Sequence, residues 1–124
     1  MRILLIRTSA LGDVVHGLPV LTALRRHHPD ATIGWIVEET LAPLLEGHPD
    51  LDEVLAVRLR AWRRPFASRH TTGEIRRFLG RLRDFGPEIV IDLMGNHKAG
   101  VLAALTLADR RIGPARRDRR EPSS

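Results

Sequence analysis

A carboxylate, Asp13, lies near the start of the chain in a short segment of small and polar residues. The segment reads Thr8-Ser9-Ala10-Leu11-Gly12-Asp13 and is separated from a four-residue apolar run, residues 3–6, by Arg7 alone. Its hydroxyls and main-chain amides could bind a polar ligand, and Gly12 would allow that ligand to approach the backbone closely. Asp13 has two interpretations, a general base that removes a proton from a substrate or an N-cap that accepts main-chain amides at the start of a helix.

Basic residues are concentrated in the second half of the chain. Residues 1–57 carry four arginines against eight acidic residues, whereas residues 58–124 carry sixteen basic residues against seven acidic ones, which gives the net charge of +5. Between Arg58 and Arg83 nine arginines accompany one acidic residue, Glu74. Such asymmetry indicates an anionic partner, either nucleic acid, an acidic membrane surface or a small polyanion. For any single arginine, a solvated surface position is the better explanation.

A second chemically unusual segment is Gly95-Asn96-His97-Lys98. We expect Lys98 in the first turn of a helix, where the helix dipole disfavours a cation unless an anion docks there. A solvent-facing lysine is the alternative. The six histidines and the carboxylates lack the spacing of a zinc or iron site, and neither a G-x-G-x-x-G motif nor a P-loop is present. We therefore expect no metal and no cofactor.

Hydrophobic patterning predicts strands that alternate with helices. Strands are predicted at residues 3–6, 32–37, 53–57 and 88–93, with a fifth beginning near 111. Helices are predicted over 14–28, 40–46, 73–85 and 99–108, and a basic loop over 58–70. This order predicts an α/β fold, a Rossmann-like parallel sheet with helices on both faces. Ligands bind such sheets at the carboxyl ends of the strands, which brings together the loops at 8–13, 58–70 and 94–98.

The predicted domain covers residues 1–113, and residues 114–124 form a basic polar tail. The composition, 43% hydrophobic and 28% charged, is typical of a globular domain. Because no apolar run approaches about 20 residues and the N-terminal one is too short for a signal peptide, a cytoplasmic protein is expected.

Four segments together resemble the N-terminal half of the bacterial lipopolysaccharide heptosyltransferases, glycosyltransferase family nine, and in particular those that add the first inner-core heptose. They are RILLIRTSALGDVVHGLP at residues 2–19, WIVEE at 35–39, RAWRRPF at 60–66 and DLMGNHKAG at 92–100. The sequence Arg120-Glu121-Pro122 also looks like a family element. The resemblance covers nearly the whole chain.

This resemblance implies a GT-B fold with two facing Rossmann-like domains, of which the N-terminal one binds the acceptor and the C-terminal one binds ADP-heptose. It implies a metal-free, inverting transfer of heptose to Kdo of the lipopolysaccharide inner core, with Asp13 as the general base. It also implies that basic side chains bind the Kdo carboxylates and lipid A phosphates, for which guanidinium forks are suited. The implied acceptor-binding residues are Thr8, Ser9, Gly12, Arg60, Arg63, Arg64, Lys98 and Arg120.

The sequence departs from the family at two loops. Ala10 stands where relatives often carry a second serine, and Met94-Gly95-Asn96-His97 replaces a glutamine-glycine-leucine pattern. The donor-binding domain is expected to be absent from this chain, so the chain alone is expected to bind acceptor weakly and to transfer no sugar. Peripheral contact with the inner membrane surface is compatible with the resemblance. Two other functions stay open, a basic α/β nucleic-acid-binding module and an inactive fragment without an independent fold.

Overall fold

The computed structural model describes residues 1–62, 69–94 and 110–112. In chain order the elements are β1 (Arg2–Ile6), α1 (Leu11–His27), β2 (Thr32–Glu38), a 3-10 helix (Glu39–Leu44), β3 (Glu53–Val57), α2 (Leu59–Trp62), α3 (Arg69–Phe85), β4 (Ile89–Asp92) and β5 (Arg110–Ile112). The five strands form one parallel sheet in the order β3-β2-β1-β4-β5. The predicted α/β class and parallel sheet are therefore confirmed.

The sheet is central because its strands are apolar on both sides. On one face the side chains of Ile3, Leu5 and Trp35 pack with α1, which contributes Val14 and Leu21. On the opposite face the core includes the following side chains of β1, β4 and α3: Leu4, Ile6, Val90, Phe78, Leu82 and Phe85. Helices thus cover both faces, which explains why β1 reads as a continuous apolar run rather than an alternating one.

Helix α1 begins at Leu11 rather than at Val14, the predicted start. The prediction placed the start at the first residue of the apolar repeat, but the first turn of the helix faces solvent and needs no apolar residue. As a result Pro19 lies in the helix interior. Asp13 becomes the third residue of the helix.

The other differences concern element type and length. The helix predicted over 40–46 is a 3-10 helix, Glu39–Leu44, in which Pro43 has no N–H for an α-helical hydrogen bond. The segment predicted as a basic loop begins with the single turn α2, and α3 starts at Arg69, four residues before the predicted start. The predicted helix over 99–108 and the basic tail at 114–124 lie outside the described residues.

The carboxyl-terminal end of α1 is fixed to the rest of the fold by Arg25. Its guanidinium donates to the carbonyls of Ala31 (2.6 Å) and Asp50 (3.1 Å) and pairs with the carboxylate of Asp52 at 2.7 Å. The same Asp52 oxygen accepts the amide of Ile33 at the start of β2. These contacts set the direction of α1, and therefore the position of its first turn at the other end.

No helix in the described ranges combines the length and apolar character needed to cross a bilayer.

Candidate active site

The candidate site lies where the strand order of the sheet reverses. Strand β1 has β2 on one side and β4 on the other. After β1 the chain continues toward the β3 edge of the sheet, and after β4 it continues toward the β5 edge. Crevices outside the carboxyl ends of the strands at such a point are the usual ligand sites of open α/β sheets. The residues that follow β1 and β4, at 7–10 and 93–94, meet there.

Arg7, the residue after β1, holds this crevice together. Its amide donates to Ile36, and its carbonyl accepts the indole N–H of Trp35 at 3.0 Å. Its guanidinium extends across the crevice, where Nη1 donates to the Leu93 carbonyl at 2.6 Å and Nη2 contacts the Asp13 carboxylate at 2.9 Å. Arg7 therefore links the two loops that form the crevice and directs one carboxylate oxygen of Asp13.

Asp13 is held by a guanidinium and is not a helix cap. The N-cap position of α1 is occupied by Ala10, which makes no side-chain capping hydrogen bond, and Asp13 lies two residues beyond the first helical position. Its side chain is 52% exposed, whereas that of Arg7 is 20% exposed. The N-cap interpretation of Asp13 is wrong. The first helical turn still favours its negative charge through the helix dipole, and half of the carboxylate faces open space.

The three acceptor-binding residues predicted between β1 and the first turn of α1 differ in accessibility. Thr8 is buried, at 1% exposure, and both its amide and its hydroxyl donate to the sulfur of Met94 at 3.3 Å. Its hydroxyl is therefore directed at Met94 rather than at the crevice. Ser9 is partly exposed, and Gly12 is exposed with no atom within 4 Å of the position that a β-carbon would take. The backbone at Gly12 is thus open to close approach.

The loop after β4 is closed by Asp92. The side chain is 2% exposed, and Oδ1 accepts the Met94 amide at 2.8 Å. The Leu93 amide donates to Ile6, which extends the pairing of β4 with β1 by one residue. This arrangement presents the Leu93 carbonyl to Arg7.

The crevice is an open cleft of about 220 Å³ lined by Arg7, Asp13, His16, Gly17, Val20 and Leu93. His16, one turn after Asp13, is exposed and lines the cleft. Gly17 faces the sheet instead: a β-carbon there would lie 2.9 Å from the ring of Trp35. The cleft therefore combines one carboxylate, one guanidinium and one imidazole above an apolar floor.

A second cleft, of about 290 Å³, lies on the other face of the sheet, between the end of β3 and α3. It is lined by Glu39, Ala56, Arg58, Trp62, Glu74, Arg77, Phe78 and Arg81. Glu74, which is 17% exposed, contacts Arg58 at 2.9 Å and His70 at 3.2 Å and accepts the indole N–H of Trp62 at 3.0 Å. The hydrogen bond from Trp62, aided by Arg58 and His70 and opposed by partial desolvation, lowers the pKa of Glu74.

Arg60 is exposed on α2, which follows β3 at the same edge of the sheet as the first cleft. Two strand spacings, about 10 Å, separate β3 from β1. Trp62 packs on the core, with its ring centroid 5.7 Å from that of Phe78. The predicted binding residues Arg63, Arg64, Lys98 and Arg120 lie outside the described residues.

No group of three or more histidine, aspartate or glutamate side chains within residues 1–62, 69–94 and 110–112 is arranged to hold a metal ion.

Two residues that were not predicted as site residues organise the clefts, Arg7 and Glu74. A usable signal existed for both, since Arg7 interrupts an apolar run at the point where a strand should end, and Glu74 is the one acidic residue among nine arginines. Arg7 contacts the carbonyl of Leu93, the residue after β4, which is distant in sequence. Glu74 contacts the indole of Trp62 on α2, a turn that was predicted as loop. Neither contact could therefore be anticipated.

The sequence has relatives among the heptosyltransferases. It is 38% identical to lipopolysaccharide heptosyltransferase 1 of Pseudomonas aeruginosa over 122 residues, 98% of this chain, and 34% identical to the Escherichia coli K12 protein of the same name over 102 residues. The chain spans about a third of the length of these curated relatives, 34% and 32% respectively. No protein-family model matches the chain.

Solved structures with the same fold belong to the same group of proteins. E. coli heptosyltransferase WaaC with ADP-2-deoxy-2-fluoro heptose matches 91% of this chain and 35% of its own, with a TM-score of 0.77 and 32% identity. The glycosyl transferase family 9 protein of Veillonella parvula matches 90% of this chain and 32% of its own, with a TM-score of 0.74 and 26% identity. In sequence and in fold, the chain is therefore related to the bacterial lipopolysaccharide heptosyltransferases of glycosyltransferase family 9, and it corresponds to an N-terminal part of them.

Proposed function

We propose that this chain is the acceptor-binding part of a heptosyltransferase that transfers heptose from ADP-heptose to Kdo of the lipopolysaccharide inner core. The observation that carries the proposal is the position of Asp13, a half-exposed carboxylate directed into an open cleft at the reversal point of the sheet. Its relatives by sequence are lipopolysaccharide heptosyltransferases, and one structural relative was solved with an ADP-heptose analogue. The donor is expected to bind outside this chain.

In the proposed reaction Asp13 acts as the general base. One carboxylate oxygen takes the proton of an acceptor hydroxyl, the acceptor oxygen attacks the anomeric carbon of the heptose, and the bond from that carbon to ADP breaks. A single displacement of this kind inverts the anomeric centre. The ion pair with Arg7 fixes the orientation of the Asp13 carboxylate, while its exposed half leaves room for the hydroxyl.

The acceptor is held, in this proposal, by small residues at the cleft and by cations beside it. Gly12 and Ser9 offer an accessible backbone and hydroxyl, and Arg60 presents a guanidinium at the same sheet edge. The proposed contacts to Kdo carboxylates and lipid A phosphates also include Arg63, Arg64, Lys98 and Arg120. For Thr8 to contact the acceptor, its hydroxyl must first leave the sulfur of Met94.

Two assays test the proposal. The first measures binding of Kdo-lipid A to the 124-residue chain, beside a duplex DNA and a single-stranded RNA at several salt concentrations. We expect binding of Kdo-lipid A that weakens when Arg60 is replaced by alanine. Tight nucleic-acid binding with a steep salt dependence, unchanged by Asp13→Asn, would favour the nucleic-acid module. Circular dichroism that shows no cooperative melt would favour an inactive fragment instead.

The second assay measures sugar transfer. The 124-residue chain with ADP-heptose and Kdo-lipid A is expected to show no turnover, because the donor site is expected to lie outside it. A chimera in which residues 1–112 replace the matching part of E. coli WaaC is expected to transfer heptose in a manner that depends on Asp13. Turnover by the chain alone would contradict the proposed division between acceptor and donor parts.

A further inference from the structure

The carboxylate of Glu74 is an exception in the most basic part of the chain. It stands on α3 among nine arginines, where by charge alone it opposes the binding of an anionic acceptor. Its side chain is nevertheless only 17% exposed and contacts Arg58, His70 and Trp62. An acidic residue in that position requires an explanation other than solubility.

Glu74 fixes both ends of α2. Its Oε1 accepts from the indole N–H of Trp62 at 3.0 Å, and both of its oxygens lie 2.9–3.1 Å from Nη1 of Arg58. Arg58 directly precedes α2, and Trp62 is the last residue of α2. The amide of Leu59 donates to a second carboxylate, Glu38, at 3.2 Å.

These contacts matter because α2 cannot hold its own shape. A helix of one turn is unstable in isolation, since the entropy of ordering its backbone exceeds what one or two hydrogen bonds return. Its position is therefore set by contacts with the rest of the fold, chiefly the Glu74 contacts and the packing of Trp62 on Phe78. Arg60 stands on this turn, exposed, between the two anchored ends.

We infer that Glu74 is a positioning residue for acceptor recognition, which orients Arg60 through Arg58 and Trp62. The inference deepens the proposed function and rests on it. It makes a prediction opposite to that of simple electrostatics: removal of the Glu74 charge should weaken anion binding, although the site becomes more positive.

The first test measures positioning without any ligand. Because the chain contains no cysteine, Arg60→Cys carries a single nitroxide spin label on α2. We expect the electron paramagnetic resonance spectrum of the label to become more mobile in Glu74→Ala and to stay unchanged in Glu53→Ala. Glu53 is a matched control because it also pairs with an arginine, Arg81 at 3.4 Å, but begins β3 at the far end of that strand. Equal label mobility in all three backgrounds would overturn the inference.

The second test measures binding of Kdo-lipid A by the unlabelled chain. We expect Glu74→Ala to weaken binding about tenfold, comparable to the loss of one charge-assisted hydrogen bond, and Glu74→Gln to weaken it less because its amide oxygen still accepts from Trp62. Glu53→Ala should bind as tightly as the parent or slightly tighter. Binding by Glu74→Ala that is equal or tighter would overturn the inference.

The two tests separate its failure from that of the proposed function. Suppose that Glu74→Ala makes the label more mobile but the parent chain does not bind Kdo-lipid A. The proposed function and the role of Glu74 in recognition are then overturned, while the anchoring of α2 by Glu74 stands. If Glu74→Ala does not melt cooperatively, both tests are made with Glu74→Gln. We expect smaller changes in the same directions for this variant. The absence of any change in label mobility and binding would overturn the inference.

Discussion

Replacing Gly17 by alanine tests whether α1 lies against the floor of the cleft as described. The new β-carbon would lie 2.9 and 3.1 Å from two ring atoms of Trp35 and 3.5 Å from Leu93. Trp35 has no room to move, because its ring is fully buried and its indole N–H is bonded to the Arg7 carbonyl. Overpacking of this kind costs about 1–3 kcal/mol.

Gly12 provides a control on the same helix. Both residues belong to α1, and alanine is favoured over glycine within helices by about 0.5–1 kcal/mol. At Gly12 no atom lies within 4 Å of the added β-carbon, so Gly12→Ala is expected to be neutral or stabilising. The helix-propensity gain occurs in both variants and largely cancels. The difference between them is therefore the clash with Trp35, about 1–3 kcal/mol.

The assay is a thermal melt of both variants followed by circular dichroism. For a domain of this size each kcal/mol shifts the midpoint by about 4 °C, so Gly17→Ala should melt about 4–12 °C below Gly12→Ala. Equal melting temperatures would mean that α1 does not contact Trp35 at Gly17, and the described position of α1, the helix that carries Asp13, would then be refuted.

Two further predictions concern charged groups. Arg7→Met removes a charged hydrogen bond to the loop after β4 and a half-exposed ion pair with Asp13. It also removes the Arg7 Nε, which is buried without a hydrogen-bond partner in the described part of the chain. We expect the free energy of unfolding to fall by about 1 kcal/mol. Urea unfolding should detect this loss. The control Arg26→Met, which replaces an exposed arginine of α1, should stay within about 0.5 kcal/mol of the parent. An equal loss in both variants would contradict the bridging role of Arg7. Because the folded-state pKa of Glu74 is lowered, its carboxylate stabilises the fold fully above the ordinary glutamate pKa of 4.5, and this stabilisation is lost as the pH falls through the lowered value. The stability difference between the parent and Glu74→Gln should therefore be constant near neutrality and shrink below pH 4.5; a difference that persists unchanged in strong acid would contradict the assigned cause.

The sheet was predictable because its signals are local. The strands β1 and β2 are apolar runs buried on both faces, whereas only Leu55 and Val57 are buried in the edge strand β3. The predicted bounds of all three strands agree with the structure to within one residue. The alternation of strands and helices then restricted the connections to a parallel, right-handed arrangement. The position of the site at the carboxyl edge followed from that arrangement and not from any single residue.

The start of α1 was harder to predict because a helical first turn that faces solvent carries no apolar repeat. The hydrophobic pattern begins at Val14, whereas the hydrogen-bonded helix begins at Leu11. This three-residue difference decides the role of Asp13, since an aspartate one residue before a helix is a cap and one inside the first turn is not. The ion pair with Arg7 depends on the same three residues and could not be seen in the sequence.

The contacts of Glu74 and Met94 were beyond prediction for a different reason. Each joins parts of the chain that only the tertiary fold brings together: α3 with α2 for Glu74, and β4 with the β1–α1 loop for Met94. Composition marked the neighbourhood of Glu74 as basic, but it could not show which cation the carboxylate would hold. The contact of Met94 with Thr8 reduced the access predicted for that hydroxyl.

In the proposed reaction the carboxylate of Asp13 accepts the proton of the acceptor hydroxyl. The rate of heptose transfer from ADP-heptose to Kdo-lipid A by the WaaC chimera, compared with its Asp13→Asn variant, tests it most directly. We expect kcat to fall by about 10²–10⁴, the usual contribution of a general base, while the affinity of the 124-residue chain for Kdo-lipid A changes less than about threefold, since Asn keeps the shape of Asp. Transfer by the Asp13→Asn chimera at a rate close to that of the parent chimera would contradict the role of Asp13 as the general base.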